Sequence, residues 1–141
     1  MNARLTHRAE FCAALRLECP GSSAEENRAL YGVCYSPNFH GHNYRLAVDV
    51  EGPVDPKSGL VMDFLQFGAI VDEAVVRPLD HKNLNLDVDF LQGVVPTTEN
   101  LAICFWERLA ARLPAGIELR EIRLRESQQH SVTYRGPQPT P

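Results

Sequence analysis

No apolar run in this chain approaches the ~20 residues that a membrane-spanning helix needs. Residues 1–10 mix Arg4, His7 and Arg8 with polar neighbours and lack the apolar stretch of a secretory signal. A cytoplasmic protein without a membrane partner is therefore expected. A surplus of positive charge is also missing: 14 Lys and Arg are scattered among 18 Asp and Glu, for a formal net charge of -4. Nucleic-acid surfaces need clustered basic residues, so no nucleic-acid partner is expected. Cysteine is scarce. Cys12, Cys19, Cys34 and Cys104 match neither a secreted disulfide framework nor a paired Cys-x-x-Cys zinc site, and they read as thiols. No repeat of solenoid length occurs.

What is present is an ordinary globular mixture, 44% hydrophobic and 23% charged, in 141 residues. That suits one domain with one core. The expected domain covers residues 1–136, and the proline-rich residues 137–141 are expected to be a disordered tail. Residues 43–51 alternate: Tyr44, Leu46, Val48 and Val50 share one face, and Arg45, Ala47, Asp49 and Glu51 the other. Phe11, Ala13, Leu15 and Leu17 repeat the pattern over residues 5–17, which makes an antiparallel partner across an insertion at residues 18–39. A loop that long in a compact domain is more often functional than idle. Helical spacing follows over residues 63–76, with Pro78 stopping the run. A second helix begins after Pro96, capped by Thr97 or Thr98, with Glu99 in its first turn and a stripe of Leu101, Phe105, Leu109 and Leu113. Ile122 and Leu124 mark a strand, and Val132 and Tyr134 a last one. The predicted fold class is α+β, with an antiparallel sheet and helices on one face.

Four places carry residues suited to chemistry. His40 and His42 stand two apart at the start of a strand, so both imidazoles point to one face, where they either share a metal ion or make ordinary hydrogen bonds. Cys34 sits in the insertion, as a small buried hydrophobe or as a reactive thiol. Asp80 and His81 follow the first helix, as a hydrogen-bonded turn or as a proton relay to a nearby thiol. Glu126 shares parity with Ile122 and Leu124, so its carboxylate turns toward the apolar side and must find partners there. A heterocycle with two parallel N–H donors is one such partner; Arg123 and Arg125 are another, though both have the opposite parity.

Together these residues resemble the 6-pyruvoyl-tetrahydropterin synthase family, which includes the 6-carboxy-tetrahydropterin synthases of queuosine biosynthesis. The resemblance rests on Phe11-Cys12-Ala13-Ala14, Ala24-Glu25-Glu26-Asn27, Cys34 with Pro37-Asn38, His40-Gly41-His42-Asn43-Tyr44, Leu79-Asp80-His81-Lys82-Asn83-Leu84 and Thr97-Thr98-Glu99-Asn100. Residues 80–100, and Glu126 with Tyr134-Arg135-Gly136, look closer to the biopterin-making branch. The resemblance implies the tunnelling fold: a four-stranded antiparallel sheet with two helices on one face, joined as a homo-oligomeric barrel, a trimer or a dimer of trimers.

It also implies a lyase acting on 7,8-dihydroneopterin triphosphate, with loss of triphosphate and formation of 6-pyruvoyl-tetrahydropterin; in the queuosine branch a 6-carboxy product forms. Carried over by residue, Cys34 is the proton-abstracting thiol and Asp80 and His81 are its relay. Glu126 anchors the pterin, with Thr98 and Glu99 beside it. His40 and His42 hold zinc. The sequence departs from the family at the third zinc ligand, where a histidine is replaced by Leu15. Two other readings of the same scaffold are a pterin-binding homologue without lyase activity and an aldolase-like activity using Lys82 and Tyr44.

Overall fold

The computed structural model describes the whole chain, Met1–Pro141. Two long strands dominate it. β1 (Asn2–Leu15) and β2 (His40–Pro53) pair antiparallel without a break, from Asn2 opposite Pro53 to Leu15 opposite His40. β1 begins three residues before the expected 5–17 and ends two short of it at Leu15, while β2 extends the expected 43–51 at both ends, because backbone pairing sets where each strand stops. β2 pairs in turn with β4 (Glu118–Arg125), and β4 with β5 (Ser131–Tyr134).

The sheet corrects the expected four antiparallel strands. A two-residue strand, β3 (Lys82–Asn83), pairs parallel to β1 at Ala13 and Ala14, so the order is β3-β1-β2-β4-β5, five strands and mixed. Two residues are too few to show alternation, which is why the sequence pattern misses them.

The insertion between β1 and β2 is also more ordered than a loop. It carries α1 (Ala24–Tyr31), whose first turn is capped by the Ser23 hydroxyl, which accepts from the Glu26 N–H at 3.1 Å. Its polar run has no apolar stripe, so periodicity could not reveal it. The side chain of Asn27, only 1% exposed, holds the segment. Its Oδ1 accepts from the Cys19 N–H at 2.8 Å, and its amide donates to the Ser23 carbonyl at 3.1 Å. The Leu17 N–H donates to the Cys34 carbonyl at 2.8 Å and closes the loop.

After β2 the chain forms α2 (Phe64–Val71), capped by Asp63, a π-helical turn at Asp72–Val76, and the short α3 (Arg77–Leu79). Pro78 does not stop the run where expected, because its missing N–H leaves the Ala74 carbonyl to another donor. Arg108 fills that role, its Nε donating to Ala74 O at 2.7 Å. Arg108 belongs to α4 (Thr98–Ala110), whose first turn is capped by Thr97 through the Asn100 N–H at 3.1 Å.

The helices α2 to α4 cover one face of the sheet. Phe11, Tyr44, Leu46, Val48, Ile122 and Leu124 of the strands meet Phe67, Val75, Leu101 and Phe105 in a single core. The opposite face is polar, with ion pairs such as the exposed Arg45 with Glu10 and the partly covered Arg123 with Glu121. Pairs of that kind contribute at most about 1 kcal/mol each. No helix is long and apolar enough to cross a membrane.

Candidate active site

Strand register decides which side chains can meet. Leu15 lies opposite His40, Ala13 opposite His42 and Phe11 opposite Tyr44, so all six side chains face the helix-covered side of the sheet. The His40 and His42 rings are 5.2 Å apart and edge-on, and His42 is 5.7 Å from the Tyr44 ring. Ser36 Oγ holds His40 Nδ1 at 2.9 Å. Arg45 pairs with Arg125, which brings Glu126, the residue just past β4, beside Tyr44. Glu126 Oε1 is 3.3 Å from His42 Nε2. The alternative partners are otherwise engaged: Arg123 pairs with Glu121, and Arg125 donates to the Gln128 carbonyl.

The electrostatics of this cluster follow from burial. Desolvation, then the neighbouring His42, push the His40 imidazole below its ordinary pKa, with Glu126 opposing. Tyr44 is fully buried, and its hydroxyl is the one buried side-chain polar atom without a hydrogen-bond partner. Burial first, and the Glu126 charge second, push its ionisation upward. Sequence reasoning placed Tyr44 in the core and named it for chemistry only in the aldolase-like reading, without seeing that its hydroxyl lacks a partner. The signal was available, since Tyr44 follows His40 and His42 at the same period-two spacing.

A second cluster lies at the β3 edge of β1. The Cys12 N–H donates to Asp80 Oδ1 at 2.9 Å, and the His81 N–H donates to the Cys12 carbonyl at 2.7 Å. His81 Nδ1 is 3.0 Å from Asp80 Oδ2. The Cys12 backbone N–H, then His81, hold the Asp80 carboxyl below the ordinary carboxylate range. A groove of about 560 Å³ opens here, lined by Cys12, His81, Lys82, Asn83 and Asp87 among others.

The structure thus joins His40, His42 and Glu126, and separately Asp80 and His81. Cys34 joins neither group within one chain. It ends a 3₁₀ turn (Gly32–Cys34), half-buried, with its carbonyl bonded to Leu17, five residues beyond Cys12. Thr98 is buried in the first turn of α4 and Glu99 is exposed beside it, with no hydrogen bond from either to Glu126.

The family model for 6-pyruvoyl tetrahydropterin synthase matches residues 4–137. The chain belongs to this family. It is 42% identical over 134 residues to the 6-pyruvoyl tetrahydrobiopterin synthase of Homo sapiens, covering 95% of this chain and 92% of that protein. A Pyrococcus furiosus protein named dihydroneopterin monophosphate aldolase is 39% identical over 132 residues, covering 94% of this chain and 96% of that one. The solved structure of Caenorhabditis elegans 6-pyruvoyl tetrahydropterin synthase superposes with a TM-score of 0.89 at 33% identity, covering 97% of each chain.

Family membership raises the question of zinc at His40 and His42. A catalytic zinc generally has three protein ligands. Here the residue opposite His40 is Leu15, apolar and 0% exposed. The Ser36 hydroxyl at His40 Nδ1 leaves Nε2 for a metal, but no third His, Cys, Asp or Glu ligand atom converges on the pair, and Glu126 lies 3.3 Å from His42 Nε2. The pair therefore does not fit a three-ligand zinc site.

Proposed function

We propose that this chain is a lyase of the 6-pyruvoyl-tetrahydropterin synthase type, converting 7,8-dihydroneopterin triphosphate to 6-pyruvoyl-tetrahydropterin and triphosphate. The observation that carries this reading is Glu126. A half-buried carboxylate turned to the covered side of the sheet, with no arginine partner and an imidazole as its one close neighbour, suits the paired N–H donors of a pterin ring. Thr98 and Glu99 supply further polar contacts from the start of α4. Cys34 acts as the base that takes a carbon-bound proton, and Asp80 with His81 passes protons to and from the side chain. Loss of triphosphate and the internal redox rearrangement need no outside oxidant. A divalent metal held at His40 and His42 would act as a Lewis acid toward the side-chain oxygens, and none of the steps above is routed through that pair.

Cys34 does not meet Asp80 and His81 within one chain, so the relay requires a second copy, consistent with the homo-oligomer that the resemblance implies. The test is a direct one. Purified protein supplied with 7,8-dihydroneopterin triphosphate is expected to release triphosphate and a product with the mass of 6-pyruvoyl-tetrahydropterin. Binding without triphosphate release would leave a pterin-binding protein.

A second reading has its own support in the aldolase name of the 39% identical relative. An aldolase would cleave a carbon–carbon bond of the side chain and release an aldehyde with the phosphate ester intact. A 6-carboxy product would instead place the chain in the queuosine branch. Mass spectrometry of the same reaction separates the three.

A further inference from the structure

The polar face of the sheet, turned away from the helices, divides into two parts of different charge. In one, every arginine meets a carboxylate at 2.9 Å: Arg4 with Glu51, Arg120 with Glu118 and Arg135 with Glu121. The other holds Arg8, Arg45, Arg123 and Arg125 around a groove of about 340 Å³, with Glu10 as its single carboxylate. In a chain of formal net charge -4 this is a local reversal of sign.

Strand register builds the cluster. Arg8 lies opposite Ala47 on β2, and Ala47 lies opposite Arg123 on β4, so one row across three strands sets two arginines on either side of a methyl group. In the adjoining row of the same face Arg45 lies directly opposite Arg125. Like charges directly opposite on neighbouring strands are destabilising. The partners within the chain offset little of that cost. Glu10 meets Arg45 at 3.1 Å, but the two side chains are largely exposed. Glu121 holds Arg135 at 2.9 Å and reaches Arg123 only at 3.4 Å. Arg125 donates to a neutral acceptor, the Gln128 carbonyl, at 3.1 Å. Arg8 has no carboxylate partner. Most of the guanidinium N–H groups are left for an external acceptor, and Ala47 leaves the space between them open.

We propose that this groove binds an oligophosphate, whose oxygens accept from Arg8 and Arg123 on either side of Ala47 and from Arg45 and Arg125 in the next row. Guanidinium forks match phosphate oxygens two at a time. Linked phosphates also bring several negative charges into a compact length, which answers four arginines where one carboxylate does not. A groove of this volume suits a small ligand. The site lies across the sheet from His40, His42 and Glu126 and goes beyond the lyase reading. Triphosphate, which that reaction would release, is one ligand of this class, but the binding does not depend on turnover.

The experiment is a calorimetric titration of the full-length protein with inorganic triphosphate, repeated with orthophosphate. The expected result is saturable binding of triphosphate, about tenfold or more tighter than orthophosphate, that weakens as salt screens the exposed charges. Arg8→Gln combined with Arg123→Gln, two exposed positions, should weaken it about tenfold or more. Ala47→Glu, which supplies the missing carboxylate from the protein itself, should do the same. Arg4→Gln, in the paired part of the face, should leave it unchanged, as should saturating neopterin. Circular dichroism checks that each variant is folded. No binding of triphosphate would overturn the site, as would binding retained in both groove variants, an equal loss in Arg4→Gln, or displacement by neopterin, which would place the anion on the covered face.

Discussion

The two faces of β1 carry two clusters built from the same kinds of side chain but set in opposite surroundings. On the covered side, His40, His42, Glu126 and Tyr44 sit among core residues, with Leu15 in the remaining place. At the β3 edge, Cys12, Asp80 and His81 sit in an open groove, with backbone N–H groups fixing their orientation. The first cluster is short of a metal ligand and rich in low-dielectric surface, which favours a neutral heterocycle with directional hydrogen bonds. The second has three donors converged and solvent access. The difference lies in what the neighbouring strand supplies: opposite His40 it offers Leu15 in place of a third donor.

The largest effect should come from a residue in neither cluster. Cys34→Ala should leave the fold intact, since Cys34 is half-buried in a turn and contributes little core area. It should lower turnover by about 10²–10⁴-fold if Cys34 is the base. Circular dichroism and a triphosphate-release assay check both parts, and unchanged turnover would move the base elsewhere.

Next in size is Leu15→His. Position 15 lies opposite His40 and would complete three imidazoles on the covered face. Zinc content after dialysis should rise from well below one equivalent to about one. Elemental analysis that finds a full equivalent in the dialysed wild type would show that the covered pair already has a third ligand.

Glu126→Gln comes third. It keeps the shape of the side chain and removes the charge, and should weaken pterin affinity by about 1.5–3 kcal/mol, the range for a hydrogen bond to a charged group. Calorimetry with neopterin measures it; equal affinities would reduce Glu126 to a partner of His42.

The smallest effect is one of pH. The native state holds the Asp80 carboxyl below its ordinary range, through the Cys12 N–H and then His81. A depressed carboxyl contributes stability that is present above the unfolded-state pKa of about 3.9 and is lost as pH falls through the lower native value. Asp80→Asn should flatten this part of the acid-unfolding curve. An unchanged curve would mean that the Asp80 contacts contribute no net stability.

Much of this was legible in the sequence alone. Period-two alternation gave the two central strands, and the parity of Glu126 set its carboxylate on the covered side, away from Arg123 and Arg125. Thr97 and Glu99 marked the start of α4. Motif order pointed to the pterin-synthase family, and the family comparisons bear that out. Elements without an amphipathic pattern were not legible. α1 is stabilised by Ser23 and by the buried Asn27 amide instead of an apolar stripe, and β3 is two residues whose pairing depends on where α3 delivers the chain.

By itself, then, the sequence determined which residue faces which side of each strand, because the direction of a side chain along a strand is a local matter of parity. It also determined the absence of a third histidine at position 15. Only the tertiary structure decided which of those residues meet. The register of β1 on β2 sets Leu15 against His40, and the turn after α3 lays Asp80 and His81 against Cys12. Contacts between segments so far apart in the chain depend on how the core packs between them, and no local pattern encodes that.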